Sequence, residues 1–275
     1  MKSIYRIGTS SGLNPAQSVL LLEVSELHCC FAVLDFANQM LVHACFYSSE
    51  ENDHTDLLRL VVDEHEELRQ QFRQIAVSYY APEHVFVPQR FYHFESAGDL
   101  LASMYQEVQK VVLSEAVAEW QLNNVYYVPS VTHKTLSRRF ATGNFWHTHS
   151  IQLKSALGDS SEGAIFIDFK PRNFSVLVAK NNRLLLANMY PYVKPADVLY
   201  WLLRVCREYD LPREKVAVSI AGLIERQSAI FKELYQYFAN VIFENPEGDI
   251  RLTGDFSEYP PHFFSNFHKL AACVS

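Results

Sequence analysis

Two stretches of this chain carry the same pattern, and that repeat constrains the fold more than any other feature. Residues Glu162 to Tyr190 read Glu-Gly-Ala-Ile-Phe-Ile-Asp-Phe-Lys-Pro-Arg-Asn-Phe-Ser-Val-Leu-Val-Ala-Lys-Asn-Asn-Arg-Leu-Leu-Leu-Ala-Asn-Met-Tyr, three apolar runs separated by two short polar breaks. The second break, Asn181-Asn182, suits a two-residue hairpin because asparagine tolerates positive φ. Three such runs make an antiparallel meander. Residues Ser18 to Tyr47 repeat it, with breaks at Ser25-Glu26-Leu27 and Phe36-Ala37-Asn38-Gln39. Laying Leu20 on Ile165 puts Glu23 on Asp168, Phe31 on Val176 and Val33 on Val178, so each copy ends its first strand on an acidic residue. An internal repeat of this kind specifies two equivalent halves.

The segments after the two meanders are also alike. Leu57, Leu58, Val61, His65, Leu68 and Phe72 recur at helical spacing behind the candidate caps Asp53 and Thr55. Val198, Trp201, Leu202, Val205 and Tyr209 do the same behind Pro195, which the first turn of a helix accepts. Strands are expected at 75–80, 85–87, 125–128, 216–221 and 241–243, with Pro88 closing the second of them. Ser96 reads as the cap of a helix whose inward face holds Leu100, Leu101, Met104, Tyr105, Val108 and Val112. Two short helices are expected between Ser130 and Leu157, broken at Ala141-Thr142-Gly143-Asn144 and ended by Gly158. Further helices carry Ile230, Phe231, Leu234, Tyr237 and Phe238, and run from Phe263 to Cys273. The first 17 residues, polar and bearing Gly, Ser and Pro, read as a loosely ordered lead-in. The polar segment from Gly158 to Glu162 reads as the boundary, giving lobes of residues 1–157 and 158–275 with the C-terminal helix near the cleft between them.

Composition narrows the class of protein. Of the 275 residues nearly half are hydrophobic, enough for two ordinary cores, and the net charge of −7 carries no run of basic residues. Non-specific nucleic-acid binding and docking on an anionic membrane are therefore not expected, and no apolar stretch is long enough for direct membrane insertion. The five cysteines are odd in number and scattered, which reads as a cytoplasmic protein with reduced thiols.

A meander, a helix, a strand and further helices, occurring twice with an acid at the end of each first strand, resembles the actin-like ATPase fold. That fold is an α/β architecture of two ribonuclease H-like lobes. The residues that carry the likeness are Ile165-Phe166-Ile167-Asp168 with the strands after them, and Val218-Ser219-Ile220-Ala221-Gly222 leading into its helix. In detail the chain resembles a bacterial family of unknown function with this fold and, more distantly, the actin-like assembly proteins of pilus and secretion systems. The resemblance implies that the two acidic strand ends, if active, organise magnesium beside ATP, that the loops after them cradle phosphate, and that the strand ending at Gly222 meets adenosine.

The loops depart from that chemistry. Active loops follow the acid with glycine, because only glycine lets backbone donors approach phosphate closely. Here the first loop is Glu23-Val24-Ser25-Glu26-Leu27 and the second Asp168-Phe169-Lys170-Pro171-Arg172, with a proline that removes one donor. No glycine occurs between Gly12 and Gly98, and Leu223 stands where the adenosine strand carries its second glycine. Two readings are open. One is a catalytically silent actin-like module, with no catalytic residue, cofactor or metal, acting as an interaction or assembly scaffold for a protein partner. The other is a divergent ATPase or small-molecule kinase using ATP and magnesium at Glu23, Asp168, Lys170 and Gly222. The first is preferred on the missing glycines.

Smaller features have simpler readings. His147-Thr148-His149 has the spacing of a zinc pair if it is a strand, but reads as helical, its histidines solvated or packed. Cys29-Cys30 reads as one packed and one half-exposed thiol. The acidic run from Val61 to Glu67 reads as a solvated helix face, and the aromatic tail Phe256, Tyr259, Phe263, Phe264 and Phe267 as mostly core. No local signature of serine or cysteine nucleophile catalysis is present.

Overall fold

The computed structural model describes residues 1–10, 12–49, 57–154, 161–246 and 248–274. They form two compact units, one of Met1–Ile151 with Glu247–Tyr259 and Phe267–Ser275, the other of Gln152–Pro246 with Pro260–Asn266. The boundary expected between residues 157 and 158 lies outside the described residues, as do Asp53, Thr55 and Gly158.

The first unit contains β1 (Lys2–Gly8), β2 (Ser18–Val24), β3 (His28–Asp35), β4 (Met40–Ser48), α1 (Leu57–Glu64), β5 (Gln74–Tyr79), β6 (His84–Pro88), α2 (Ala97–Ala102), β7 (Lys110–Val117), β8 (Leu122–Pro129), α3 (Ser130–Arg139) and β9 (Asn144–His147). Six strands form one sheet in the order β1-β4-β3-β2-β5-β9, and β6-β8-β7 form a second. All seven residues of β2 are buried, which is why the strand reads as an unbroken apolar run. Leu20, Leu22, Phe31, Val33 and Val77 from the large sheet pack with Val61 of α1, Leu68, and Leu136 of α3. Each such side chain removed from water stabilises by about 1.5–3 kcal/mol.

Helix α4 (Thr148–Lys154) leads out of β9, and the second unit continues through β10 (Ala164–Phe169), β11 (Asn173–Lys180), β12 (Arg183–Pro191), α5 (Pro195–Glu208), β13 (Ala217–Gly222), α6 (Ala229–Tyr237) and β14 (Asn240–Phe243); a last helix, α7 (Ser265–Ala271), has its first two residues in the second unit and the rest in the first. Its sheet runs β12-β11-β10-β13-β14. That is the order of β4-β3-β2-β5-β9 strand for strand, antiparallel within the meander and parallel beyond it. The register agrees too. Leu20 pairs with Val33 and Leu22 with Phe31, while Ile165 pairs with Val178 and Ile167 with Val176. Asn181 and Asn182 both take positive φ, +52° and +56°, and close the β11–β12 hairpin. Ser228 caps α6 by accepting the Phe231 amide.

Four local expectations are corrected. The lead-in contains β1, an edge strand on β4 with Tyr5 and Ile7 turned inward and Ile4 and Arg6 exposed. The helix after Ser96 stops at Ala102; Met104 and Val108 are exposed, Gln109 turns the chain with φ +58°, and Val112 lies in β7. Two adjacent β-branched valines favour the strand, and the helical spacing of the apolar residues there is coincidental. Residues 144–147 form β9, a short parallel edge strand that includes His147. Cys30 is buried like Cys29, because β3 is a central strand covered on both faces.

Candidate functional site

The turn after β2 is closed by its own side chains. Ser25 Oγ accepts the amides of Leu27 (3.0 Å) and His28 (2.8 Å), and the Ser25 amide donates to the His28 carbonyl (2.8 Å). A hydroxyl that accepts two amides is a turn-former rather than a nucleophile. It also lies 2.9 Å from His28 Nδ1, while Nε2 of the same ring lies 2.9 Å from Glu23 Oε1. The second contact requires the proton on Nε2, so Nδ1 accepts from Ser25 and a relay runs Ser25 to His28 to Glu23. Glu23 and His28 are fully buried, and Cys30, the cross-strand partner of Glu23, places its thiol 3.8 Å from the same Oε1.

The turn after β10 reaches the same result with different residues. Asp168 and Lys170 are both buried, with Lys170 Nζ 3.1 Å from Asp168 Oδ2. Gln152, at the start of this unit, donates to Asp168 Oδ2 (3.3 Å) and exchanges with Ser175, the cross-strand partner of Asp168. The Lys170 amide donates to the Asn173 carbonyl (2.9 Å), Pro171 has no amide hydrogen, and the Tyr192 hydroxyl donates to the Lys170 carbonyl (2.7 Å). Gly222, at the end of the neighbouring β13, has φ +80°. A Cβ there would lie 2.2 Å from the Phe169 carbonyl oxygen and 2.3 Å from Asp168 Oδ1, so glycine is required because β10 and its carboxylate fill that space. The next amide, Leu223, donates to the Phe169 carbonyl (2.8 Å).

Of the residues named from the sequence, Asp168, Lys170 and Gly222 are therefore brought together within one unit. Glu23 sits at the equivalent position of the other, beside His28 and Ser25. The equivalence Glu23–Cys30 and Asp168–Ser175 in the ladders is that of the aligned repeat. The partners His28 and Gln152 are not legible in the sequence: His28 lies across a turn, and Gln152 precedes the second meander by more than ten residues.

The histidines at 147 and 149 are buried, and His84 joins them. His149 Nδ1 lies 2.8 Å from His84 Nε2, and burial pushes the pKa of both well down. Burial lowers His147 to about 4. Its Nε2 donates to the Ala81 carbonyl (2.7 Å) and its Nδ1 accepts the His149 amide (3.1 Å), so both ring nitrogens are engaged by backbone. That engagement makes His147 a packing residue rather than a ligand.

Known proteins share this geometry at the level of the fold. The family described as "Protein of unknown function (DUF3822)" matches residues 9–241. No curated protein matches the sequence. Among solved structures, the chain is similar to a Bacteroides thetaiotaomicron protein with actin-like ATPase fold and unknown function, at 17% identity and TM-score 0.73, covering 88% of this chain and 96% of that one. It is also similar to a chain of the PilM–PilN type IV pilus biogenesis complex, at 9% identity and TM-score 0.60, covering 95% of this chain and all of that one. At such identities the likeness shows the fold, which is the actin-like ATPase fold. Among the described residues, no helix is long and apolar enough to cross a membrane.

Proposed function

The chain belongs to the DUF3822 family of unknown function, and on that basis we propose that it is a catalytically silent actin-like module that serves as a scaffold for a protein partner. The observation that carries this reading is the fate of the turn amides. A phosphate loop works by pointing backbone N–H groups at the ligand. Here the amides of Ser25, Leu27, His28, Lys170 and Leu223 are already bonded inside their own unit, and Pro171 supplies none. Both acidic strand ends are likewise held by a side chain of the same turn, Glu23 by His28 and Asp168 by Lys170. Releasing them to organise magnesium would leave a buried imidazole and a buried ammonium to be compensated.

The scaffold half of the reading is supported by apolar surface. The segment around α2 exposes Phe91 (62%), Phe94 (79%), Met104 and Val108, large side chains that a chain without partners gains nothing by presenting to water. The neighbour from the PilM–PilN type IV pilus biogenesis complex is itself part of an assembly. A phosphate-release assay with ATP and magnesium tests the silent half: turnover should equal the buffer blank and be unchanged in Asp168→Asn. Turnover above the blank that Asp168→Asn abolishes would establish the ATPase alternative instead.

A further inference from the structure

A second cluster of chemistry-bearing side chains lies in the first unit, apart from the strand-end turns. His43 and Cys45 stand two apart on β4 and so leave the same face of the strand. His65 and Glu67 stand two apart where α1 ends and a 3₁₀ turn, Glu66–Arg69, begins. All four are buried. Their donor atoms converge. His43 Nε2 is 3.4 Å from Cys45 Sγ and 3.3 Å from Glu67 Oε1, and His65 Nδ1 is 2.8 Å from that same oxygen. The donor atoms of His43, Cys45 and His65 all lie within 4.8 Å of one another. We propose that His43, Cys45, His65 and Glu67 form a binding site for a divalent zinc-class metal ion.

The separations are those of a coordination shell. A tetrahedral zinc centre, with bonds of about 2.0 Å to N and O and about 2.3 Å to S, spaces its ligand atoms by roughly 3.3–3.6 Å. Two of the three measured edges fall in that range, and the third opens by about 0.5 Å to reach it. The donor set of one sulfur, two imidazoles and one carboxylate is the mixture zinc accepts, and three or four protein ligands from a buried pocket describe a structural rather than an open catalytic centre.

The proton inventory points the same way. His43 Nδ1 lies 3.0 Å from the Ile7 carbonyl oxygen, so it carries the proton and Nε2 offers a lone pair. Nε2 of His43 thus turns its lone pair toward the Cys45 thiol at 3.4 Å and Glu67 Oε1 at 3.3 Å. A cation placed among the three takes all of these lone pairs once the thiol proton has left.

The outer partners are in place as well. His43 is oriented by the Ile7 carbonyl. His65 Nδ1 donates to Glu67 Oε1 at 2.8 Å and its Nε2 lies 2.8 Å from the Tyr47 hydroxyl, which also donates to Glu64 Oε1 at 3.2 Å; on metal binding the ring proton moves to Nε2, which then donates to Tyr47, and Nδ1 is freed for the ion. Metal-bound histidines are characteristically fixed through their second nitrogen in this way. Arg6, half-exposed, pairs with Glu64 at 3.8 Å and also places its guanidinium 3.4 Å from both ring nitrogens of His65, so it swings outward when the ion enters, and the ion's charge is balanced by one thiolate and one carboxylate. On binding, the Cys45 S–H bond breaks, a sulfur–metal bond forms and the proton leaves to solvent.

The test uses the full chain, stripped with a chelator and titrated with zinc chloride against a chromophoric zinc indicator, and in parallel with cobalt chloride read by absorption. One equivalent of zinc should bind, and cobalt should give a thiolate charge-transfer band together with the visible bands of a tetrahedral ion. Cys45→Ser should abolish the charge-transfer band. Tyr47→Phe should weaken zinc roughly 10–100-fold, and His147→Gln, in the other histidine cluster, should leave zinc affinity unchanged. Absence of stoichiometric zinc binding by the unmutated chain would overturn the proposal without any variant having to fold. So would cobalt spectra with no thiolate band, or binding lost in His147→Gln but kept in Cys45→Ser.

Discussion

Replacing Asp168 by alanine separates a structural carboxylate from a ligand-directed one. Its Oδ2 lies 3.1 Å from Lys170 Nζ, and both side chains are almost wholly buried. At that distance an effective dielectric near 20 gives an attraction of about 5 kcal/mol, most of it offset by the desolvation of the two charges. The pair thus adds little over apolar residues of the same size, but breaking it removes a carboxylate held 3.1 Å from a buried ammonium and costs about 3–5 kcal/mol. Gln152 also loses an acceptor at 3.3 Å. Asp168→Ala should therefore lower the thermal midpoint by roughly 6–20 °C, at about 2–4 °C per kcal/mol for a chain of this size. Asp168→Asn, which keeps an acceptor for Gln152, should cost less. The double variant Asp168→Ala/Lys170→Met should recover part of the loss, a coupling of about 1–3 kcal/mol. Thermal and urea unfolding followed by circular dichroism read all five proteins: the parent, Asp168→Ala, Asp168→Asn, Lys170→Met and the double variant. An Asp168→Ala midpoint equal to the parent's, or a double variant that loses the sum of the two singles, would refute the reasoning.

The other predictions concern the same turns and the buried histidines. Ser25→Ala leaves the Leu27 and His28 amides without their acceptor and should cost about 1–3 kcal/mol in urea unfolding; an unchanged midpoint would remove Ser25 as the organiser of that turn. Gly222→Ala places a Cβ 2.2 Å from the Phe169 carbonyl oxygen at positive φ, and should cost about 3 kcal/mol or more, with unimpaired stability contradicting it. Stability should also fall with acid. His147 is depressed by burial to about 4 from an ordinary 6.5, so the unfolded chain takes a proton near pH 6.5 that the folded chain declines until near pH 4. Its contribution is complete above pH 6.5 and is lost as pH falls through that window, about 3 kcal/mol at roughly 1.4 per pKa unit. His84 and His149 are shifted in the same direction. Urea midpoints that stay level from pH 7.5 to 5 would contradict this.

The parts of the fold legible in the sequence are those written as period and repetition. An unbroken apolar strand followed by a short polar break is a local signal, so Leu20 against Ile165 aligns not only two strings but two hydrogen-bonded registers. The illegible parts depend on tertiary context. β1 is too short and mixed in character to announce itself, and is a strand because β4 offers it an edge. β9 has four residues, too few for a period, and β7 sits behind a positive-φ Gln109 that no propensity marks. The missing loop glycines can be read directly, but the side chains that answer them cannot. Nothing local says that Ser25 would take two amides or that Lys170 would turn inward onto Asp168. The His43, Cys45, His65 and Glu67 cluster shows only as two residue pairs two apart, and the second reads as part of a solvated acidic face. Glu67 is buried instead because α1 ends at Glu64 and the 3₁₀ turn swings it under β4.

Whether the turns of this actin-like fold are closed to nucleotide by their own side chains is read most directly by calorimetric titration of the full chain with ATP in the presence of magnesium. No saturable heat is expected, and no rise in thermal midpoint at ATP concentrations where a bound ligand at a hundred times its dissociation constant would add about 2.7 kcal/mol. A saturable one-to-one isotherm that disappears in Asp168→Asn would show instead that the turns open to ATP and that their filled state is not the functional one.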